Sequence, residues 1–175
     1  MSIVPHDRAP IHALGEPLDR CRRFSRVYPG VLSRIARVRS DLATDLSDLI
    51  GPLRETGEDV VLCVSEMFAN ACDHSRSGQD DEGRVIRLLH RPTATSVRVA
   101  IVDDGVRTDR SAPSEPRIPS PRSSGEGFEA ERGRGLLLID HLAARWGTRS
   151  VLDFPFCSGL GTVTWAEFVL PKAAR

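Results

Sequence analysis

The stretch Val60-Val61-Leu62-Cys63-Val64-Ser65-Glu66-Met67-Phe68-Ala69-Asn70-Ala71-Cys72-Asp73-His74 constrains the chain most, because it writes two different surfaces onto one helix. At about 100° per residue, Val60, Val64, Phe68 and Ala71 share one side, with Met67 at its edge. Asp59, Glu66, Asn70 and Asp73 fall on the opposite side, with His74 near its margin. The first side must be covered by another layer; the second must face water or a ligand. Glu66 and Asn70 lie one turn apart and point the same way. A carboxylate and an amide so placed suit a shared hydrated metal, or a metal and a nucleophile. An ordinary solvated polar face fits this helix equally well, so the decision rests on its context.

Upstream, Arg23-Phe24-Ser25-Arg26-Val27-Tyr28 alternates as a short strand does, and Pro29-Gly30 stops it. Val31, Ile35, Val38, Leu42, Leu46 and Leu49 then recur at spacings of three and four, one helical stripe closed by Gly51-Pro52. Thr56-Gly57-Glu58-Asp59 is a capping pattern that starts the next helix, expected to run to about Ser75. Residues 85–90 and 97–102 read as two strands joined by a hairpin connection at 91–95. Residues 106–132 are rich in Pro, Ser, Arg and Glu, the composition of a functional lid or an insert. A helix is expected from Gly135 to about Trp146-Gly147, then strands at 148–154 and 162–170. Hairpins imply antiparallel pairing and few helices imply one covered face. The expected fold is therefore a two-layer α/β sandwich, its sheet mixed but mostly antiparallel, with helices on one face.

Composition removes several functions. Twenty-four basic residues balance twenty-four acidic ones, so no global field draws in nucleic acid. No apolar run approaches the ~20 residues that cross a bilayer. The N-terminus lacks the charged-then-apolar pattern of a secretory signal, and a cytoplasmic location is expected. Cys21, Cys63, Cys72 and Cys157 form no Cys-x-x-Cys pair, which favours buried free thiols over zinc. Trp146, Trp165 and Phe168 are expected to be core aromatics rather than partner hot spots.

Two further elements bear on the polar side of the helix. Val99-Ala100-Ile101-Val102-Asp103-Asp104-Gly105 ends an apolar strand in two carboxylates and a glycine. That is a plain turn, or an acceptor for an adenine amino group with a glycine allowing close approach. Glu131-Arg132-Gly133-Arg134-Gly135-Leu136 runs straight into a helix, where unpaired N–H groups form an anion site to which Arg132 and Arg134 add charge. It is neither a Walker A loop nor a Rossmann fingerprint. Each element is weak alone; their fixed order is stronger.

Together these segments resemble the Bergerat, or GHKL, ATPase superfamily of gyrase-type topoisomerases, histidine kinases and mismatch-repair ATPases. Glu66-Met67-Phe68-Ala69-Asn70-Ala71 matches its N box, Asp103-Asp104-Gly105 its first glycine box and Gly133-Arg134-Gly135-Leu136 its second. Gly161-Thr162-Val163-Thr164-Trp165-Ala166-Glu167-Phe168 resembles its last segment. Within the superfamily the chain is most similar to the small bacterial anti-sigma-factor serine/threonine kinases. The likeness spans about residues 23–171, the ATP-binding domain, and leaves 1–22 as a tail or arm.

The resemblance implies a role for each matching position. Asn70 would help hold Mg²⁺ against the phosphates of ATP. Asp103 would contact the adenine amino group, Gly105 would shape the pocket, and Thr164 would support the adenine end. Gly133, Arg134, Gly135 and Leu136 would meet phosphate, residues 106–132 would form the ATP lid, and Glu66 would act as general base. The implied activity is phosphorylation of an anti-sigma antagonist by an anti-sigma factor, with a sigma factor or antagonist as partner and a homodimer through the uncovered sheet face. The alternative is a non-catalytic regulator that binds nucleotide or partner and sequesters a sigma factor or antagonist. Two features depart from the family pattern: Arg107 stands where another glycine is usual, and the lid is Pro-rich and long. None of the five histidines sits in the context of a phospho-accepting helix pair, so neither an intact sensor kinase nor a topoisomerase-like ATPase with a lysine-donating second domain is the expected reading.

Overall fold

A computed structural model describes residues 23–52, 55–79, 81–105, 107, 134–151 and 161–171. The expected tail (1–22) and most of the expected lid (106–132) therefore lie outside the described residues, as does Gly133. Among the described residues five strands form one sheet: β1 (Arg23–Pro29), β2 (Arg84–Thr93), β3 (Ser96–Asp103), β4 (Arg145–Ser150) and β5 (Thr162–Val169). Their order is β1-β2-β3-β5-β4, and every pairing is antiparallel. The α-helices among the described residues, α1 (Ile35–Ile50), α2 (Glu55–His74) and α3 (Arg134–Leu142), form the second layer. The two-layer α/β sandwich stands.

The core lies between the layers because both carry apolar residues at their own period. Val38, Leu42 and Leu46 of α1 and Val60, Val64, Met67, Phe68 and Ala71 of α2 meet Val85 and Leu89 of β2, Val97, Val99 and Ile101 of β3, and Ala166 and Phe168 of β5. The Tyr28 and Phe68 rings meet edge to face at 6.0 Å, tying β1 to α2. Cys63 and Cys72 are buried free thiols. Burial pushes them up to about 12 and about 11 respectively, with nearby carboxylates adding to the effect.

Three boundaries differ from expectation. The helix begun at Val31 opens as a 3-10 turn, Leu32–Arg34, before α1 proper, and Gly51 at φ 87° ends it. The connection at 91–95 shrinks to the turn at Ala94 and Thr95, because β2 continues through Pro92. Pro92 has no N–H to pair, and the register shifts between His90 and Thr93 to absorb it. The helix expected to reach Trp146-Gly147 ends at Leu142, and Arg145 already begins β4. Pairing of Trp146 with Ala166 and Arg145 with Glu167 outweighs helical continuation, while the Trp146 indole donates back to Asp140 Oδ1 at 2.8 Å. Of the aromatics, Phe168 is core and Trp146 packs against it; Trp165 instead lies half-buried on the sheet face away from the helices.

Candidate nucleotide site

Buried contacts on its apolar side fix the rotation of α2, and Glu66 and Asn70 are left half-buried on the other side. Glu66 faces the start of α3. A Cβ built on Gly135 would sit 2.7 Å from Glu66 Oε2 and 3.3 Å from its Cβ, so a side chain at this position would displace the Glu66 carboxylate from where it lies. Gly135 is buried and Leu136 half-buried against the core; Arg134 opens the helix. The first turn of α3, whose amides have no partner within the helix, thus lies beside the Glu66 carboxylate.

The end of β3 separates two adjacent carboxylates. Strand alternation puts Asp103 on the same side as Val97, Val99 and Ile101, toward the helices. Its Oδ1 accepts the amides of Gly105 (2.8 Å) and Thr162 (3.3 Å), and among the described residues no hydrogen bond falls on Oδ2. Burial raises the Asp103 pKa, and the two amides oppose that rise. Asp104 turns the other way and is structural. Its Oδ2 accepts Ser77 Oγ (3.0 Å) and the Arg84 amide (2.9 Å), while its own amide donates to Ser77 Oγ (2.9 Å).

Backbone contacts bring the helix and strand ends together. The Arg76 amide, just beyond α2, donates to the Gly105 carbonyl at 2.9 Å, and Arg76 Nε donates to the Asp104 carbonyl at 2.8 Å. Gly105 has φ 81°, a left-handed conformation that favours glycine. Gly161, at φ 127°, lies so close to Asp103 that a Cβ would overlap its carbonyl oxygen. Thr164 pairs with Ile101 on the neighbouring strand and is half-buried. Arg107, in place of the usual glycine, donates to the Asp73 carbonyl at 3.2 Å, at the C-terminal end of α2.

The middle of α2 thus meets the start of α3 at Glu66, and the residue just beyond its C-terminal part meets the end of β3 at Gly105, with Thr162 beside Asp103 on the strand side. Magnesium often takes only one or two protein ligands and completes its shell with phosphate and water. Asn70, half-buried one turn beyond Glu66 on the same side of α2, is compatible with supplying one such ligand, and among the described residues no cluster of three His, Cys, Asp or Glu forms an all-protein metal cage.

The profile of the histidine kinase-like ATPase domain family matches residues 28–151. The chain belongs to that family. No curated protein matches the chain significantly. The matched span of this histidine kinase-like ATPase domain runs from β1 past β4 and contains Glu66, Asn70, Asp103, Gly105, Gly133, Arg134, Gly135 and Leu136; Thr164 lies beyond it. Membership implies ATP binding in a regulatory setting. No helix among the described residues is long and apolar enough to cross a membrane.

Sequence reasoning missed the residues that hold the domain's site in place. Arg76, Ser77 and Asp104 join α2 to β3, and nothing local in the sequence announces that long-range bond set. A second omission was legible. Asp45 interrupts the apolar stripe of α1 and Arg87 interrupts the inward alternation of β2, two matching anomalies that predict a buried pair. The structure pairs them: Arg87, fully buried, donates through Nη2 to Asp45 Oδ2, and Arg26 donates to both Asp45 oxygens (2.6 and 2.8 Å).

Proposed function

We propose that this histidine kinase-like ATPase domain is a serine/threonine protein kinase of the anti-sigma type, with ATP as phosphoryl donor and a Ser or Thr on a regulatory partner as acceptor. The observation that carries the reading is the placement of Glu66 against the N-terminus of α3: a base beside the amides that would receive phosphate.

In this reading Asp103 Oδ2 accepts the adenine amino group, with Oδ1 already fixed by two amides. Gly105 leaves room for the base, Thr164 supports the adenine end, and the amides of Gly133, Arg134, Gly135 and Leu136 receive phosphate. Asn70 would hold Mg²⁺, which when bound neutralises phosphate charge. Glu66 takes the proton from the acceptor hydroxyl. Phosphoryl transfer depends mainly on positioning and charge neutralisation, so this small set of groups suffices.

A titration of ATP with and without Mg²⁺ tests the site. Wild type is expected to bind in a Mg²⁺-dependent way, and Asn70→Ala to lose that dependence. Asp103→Asn keeps the acceptor that holds Gly105 and Thr162 but presents an NH₂ to the adenine amino group, so about tenfold or more weaker binding is expected. Equal binding by all three proteins would refute the assignments. Transfer of γ-phosphate to a Ser of a purified antagonist, abolished in Glu66→Ala, supports the kinase; binding of ATP and partner without transfer supports the non-catalytic regulator.

A further inference from the structure

The helices cover one face of the sheet, and the other face carries a charge pattern that the neutral chain does not predict. Register places Arg23, His90, Arg98, Glu167 and Arg145 in one row across β1, β2, β3, β5 and β4. Arg149 lies on the same face at the β4 edge, opposite Val163. Among the described residues, four guanidinium groups in and beside this row stand against the one carboxylate within it, Glu167, in a chain whose formal net charge is zero. Glu167 is already engaged by Arg98 (2.6 Å) and Arg145 (3.1 Å). His90 adds no charge near neutral pH: burial, Arg98 and Arg23 hold its pKa down against the pull of Glu167. At the far end of this face Arg84 folds onto the turn carbonyls of Asp81 and Gly83, and the Asp104 carboxylate is held by Ser77 Oγ and the Arg84 amide, so neither joins the row.

Beside this basic row the same face is apolar. Val27, Ile86 and Val102 form one row and Leu88, Ala100 and Trp165 the next, with Val27 60% and Leu88 37% exposed. Arg98 lies over the Trp165 ring at 4.7 Å, joining the apolar patch to the basic border. An apolar centre gains only from a partner that is itself apolar there, and an excess of arginine gains from a carboxylate-rich rim. The geometry points to the open sheet face as the docking surface for an acidic protein partner, with apolar side chains over Val27, Leu88 and Trp165 and Asp or Glu against Arg23, Arg98, Arg145 and Arg149.

A second copy of this chain would bring the same sign of charge against itself. Duplex nucleic acid offers phosphate with its bases stacked away from the valines and leucine, and the polyuridine arm of the test below covers single strands.

The test places the photoreactive residue p-benzoylphenylalanine at Val27, at Leu88 or, as a control on the helical layer, at Leu62, in the full chain within its own cells. The expected result is an adduct from Val27 and Leu88, absent from Leu62, to a protein segment rich in Asp and Glu. That protein, purified, is expected to bind the chain with an affinity that falls steeply with ionic strength and drops at least about tenfold in R23E/R149E, whose thermal midpoint matches wild type. Binding is measured without nucleotide, so its failure is separate from failure of the kinase reading. An adduct only to a second copy, an adduct within the same chain at 152–160, no adduct, or purified binding indifferent to R23E/R149E overturns the proposal. Binding of polyuridine or phosphatidylserine vesicles that R23E/R149E abolishes, with no protein adduct, overturns it as well.

Discussion

Gly135 leaves the Glu66 carboxylate the space that a side chain would take, since a Cβ there would sit 2.7 Å from Oε2. The clash would be with the end of a flexible side chain, so Glu66 would turn away while the helices stay in place. Gly135→Ala is therefore expected to cut phosphoryl transfer by about 10²-fold, the scale of a misplaced general base. Its thermal midpoint should hold or rise, since Ala in a helix gains up to about 1 kcal/mol over Gly. Adding Gly135→Ala to Glu66→Ala should cause no further loss. Independent, additive losses would refute the link.

Asp104→Ala separates scaffold from site. It removes the acceptor shared by Ser77 Oγ and the Arg84 amide. A loss of about 1–3 kcal/mol is expected in urea unfolding. Asp103→Asn, which retains its Oδ1 bonds, should unfold close to wild type while losing nucleotide affinity. If the stability losses were reversed between the two, their roles would be misassigned.

The Asp45–Arg87 pair predicts a pH-dependent stability. Burial alone would raise the Asp45 pKa, but the bonds from Arg26 and Arg87 outweigh it and hold the carboxyl below its usual value. A folded pKa below the unfolded one contributes stability that is present above the unfolded pKa of ~3.9 and is lost as pH falls through the folded value. Asp45→Asn leaves the fully buried Arg87 without its counter-charge, for an expected loss of about 3–5 kcal/mol at pH 7. The difference between wild type and variant should shrink as pH falls below about 4. Urea midpoints between pH 7 and pH 3 give that comparison; a constant difference would show that Asp45 is not ionised in the fold.

Cys63 and Cys72, with thiol pKa values of about 12 and about 11, are almost wholly protonated at pH 8. In a C21S/C157S background, iodoacetamide is expected to leave the folded protein unmodified and to alkylate both sites in urea. Rapid labelling of the folded form would mean that neither thiol is enclosed as described.

The sequence by itself determined the elements and much of the site's composition. Periods of 3.6 and 2 are local properties of the chain, so α2, β3 and their buried sides were legible, and so was the polar side bearing Glu66 and Asn70. The choice of Asp103 over Asp104 is also written in the alternation of β3, since Asp103 continues the inward set of Val97, Val99 and Ile101. Local propensity failed where a distant partner decided. Trp146 left the helix for a strand because β5 offered it a pairing, and Trp165 lies on the open face because its strand neighbours Ala166 and Phe168 take the core. Only the tertiary structure brought Gly135 against Glu66, tied Arg76 to Gly105 and gathered Arg23, Arg98, Arg145 and Arg149 on one face. Each of those relationships joins residues far apart in the chain, and their meeting depends on strand order and layer packing, which no local pattern encodes.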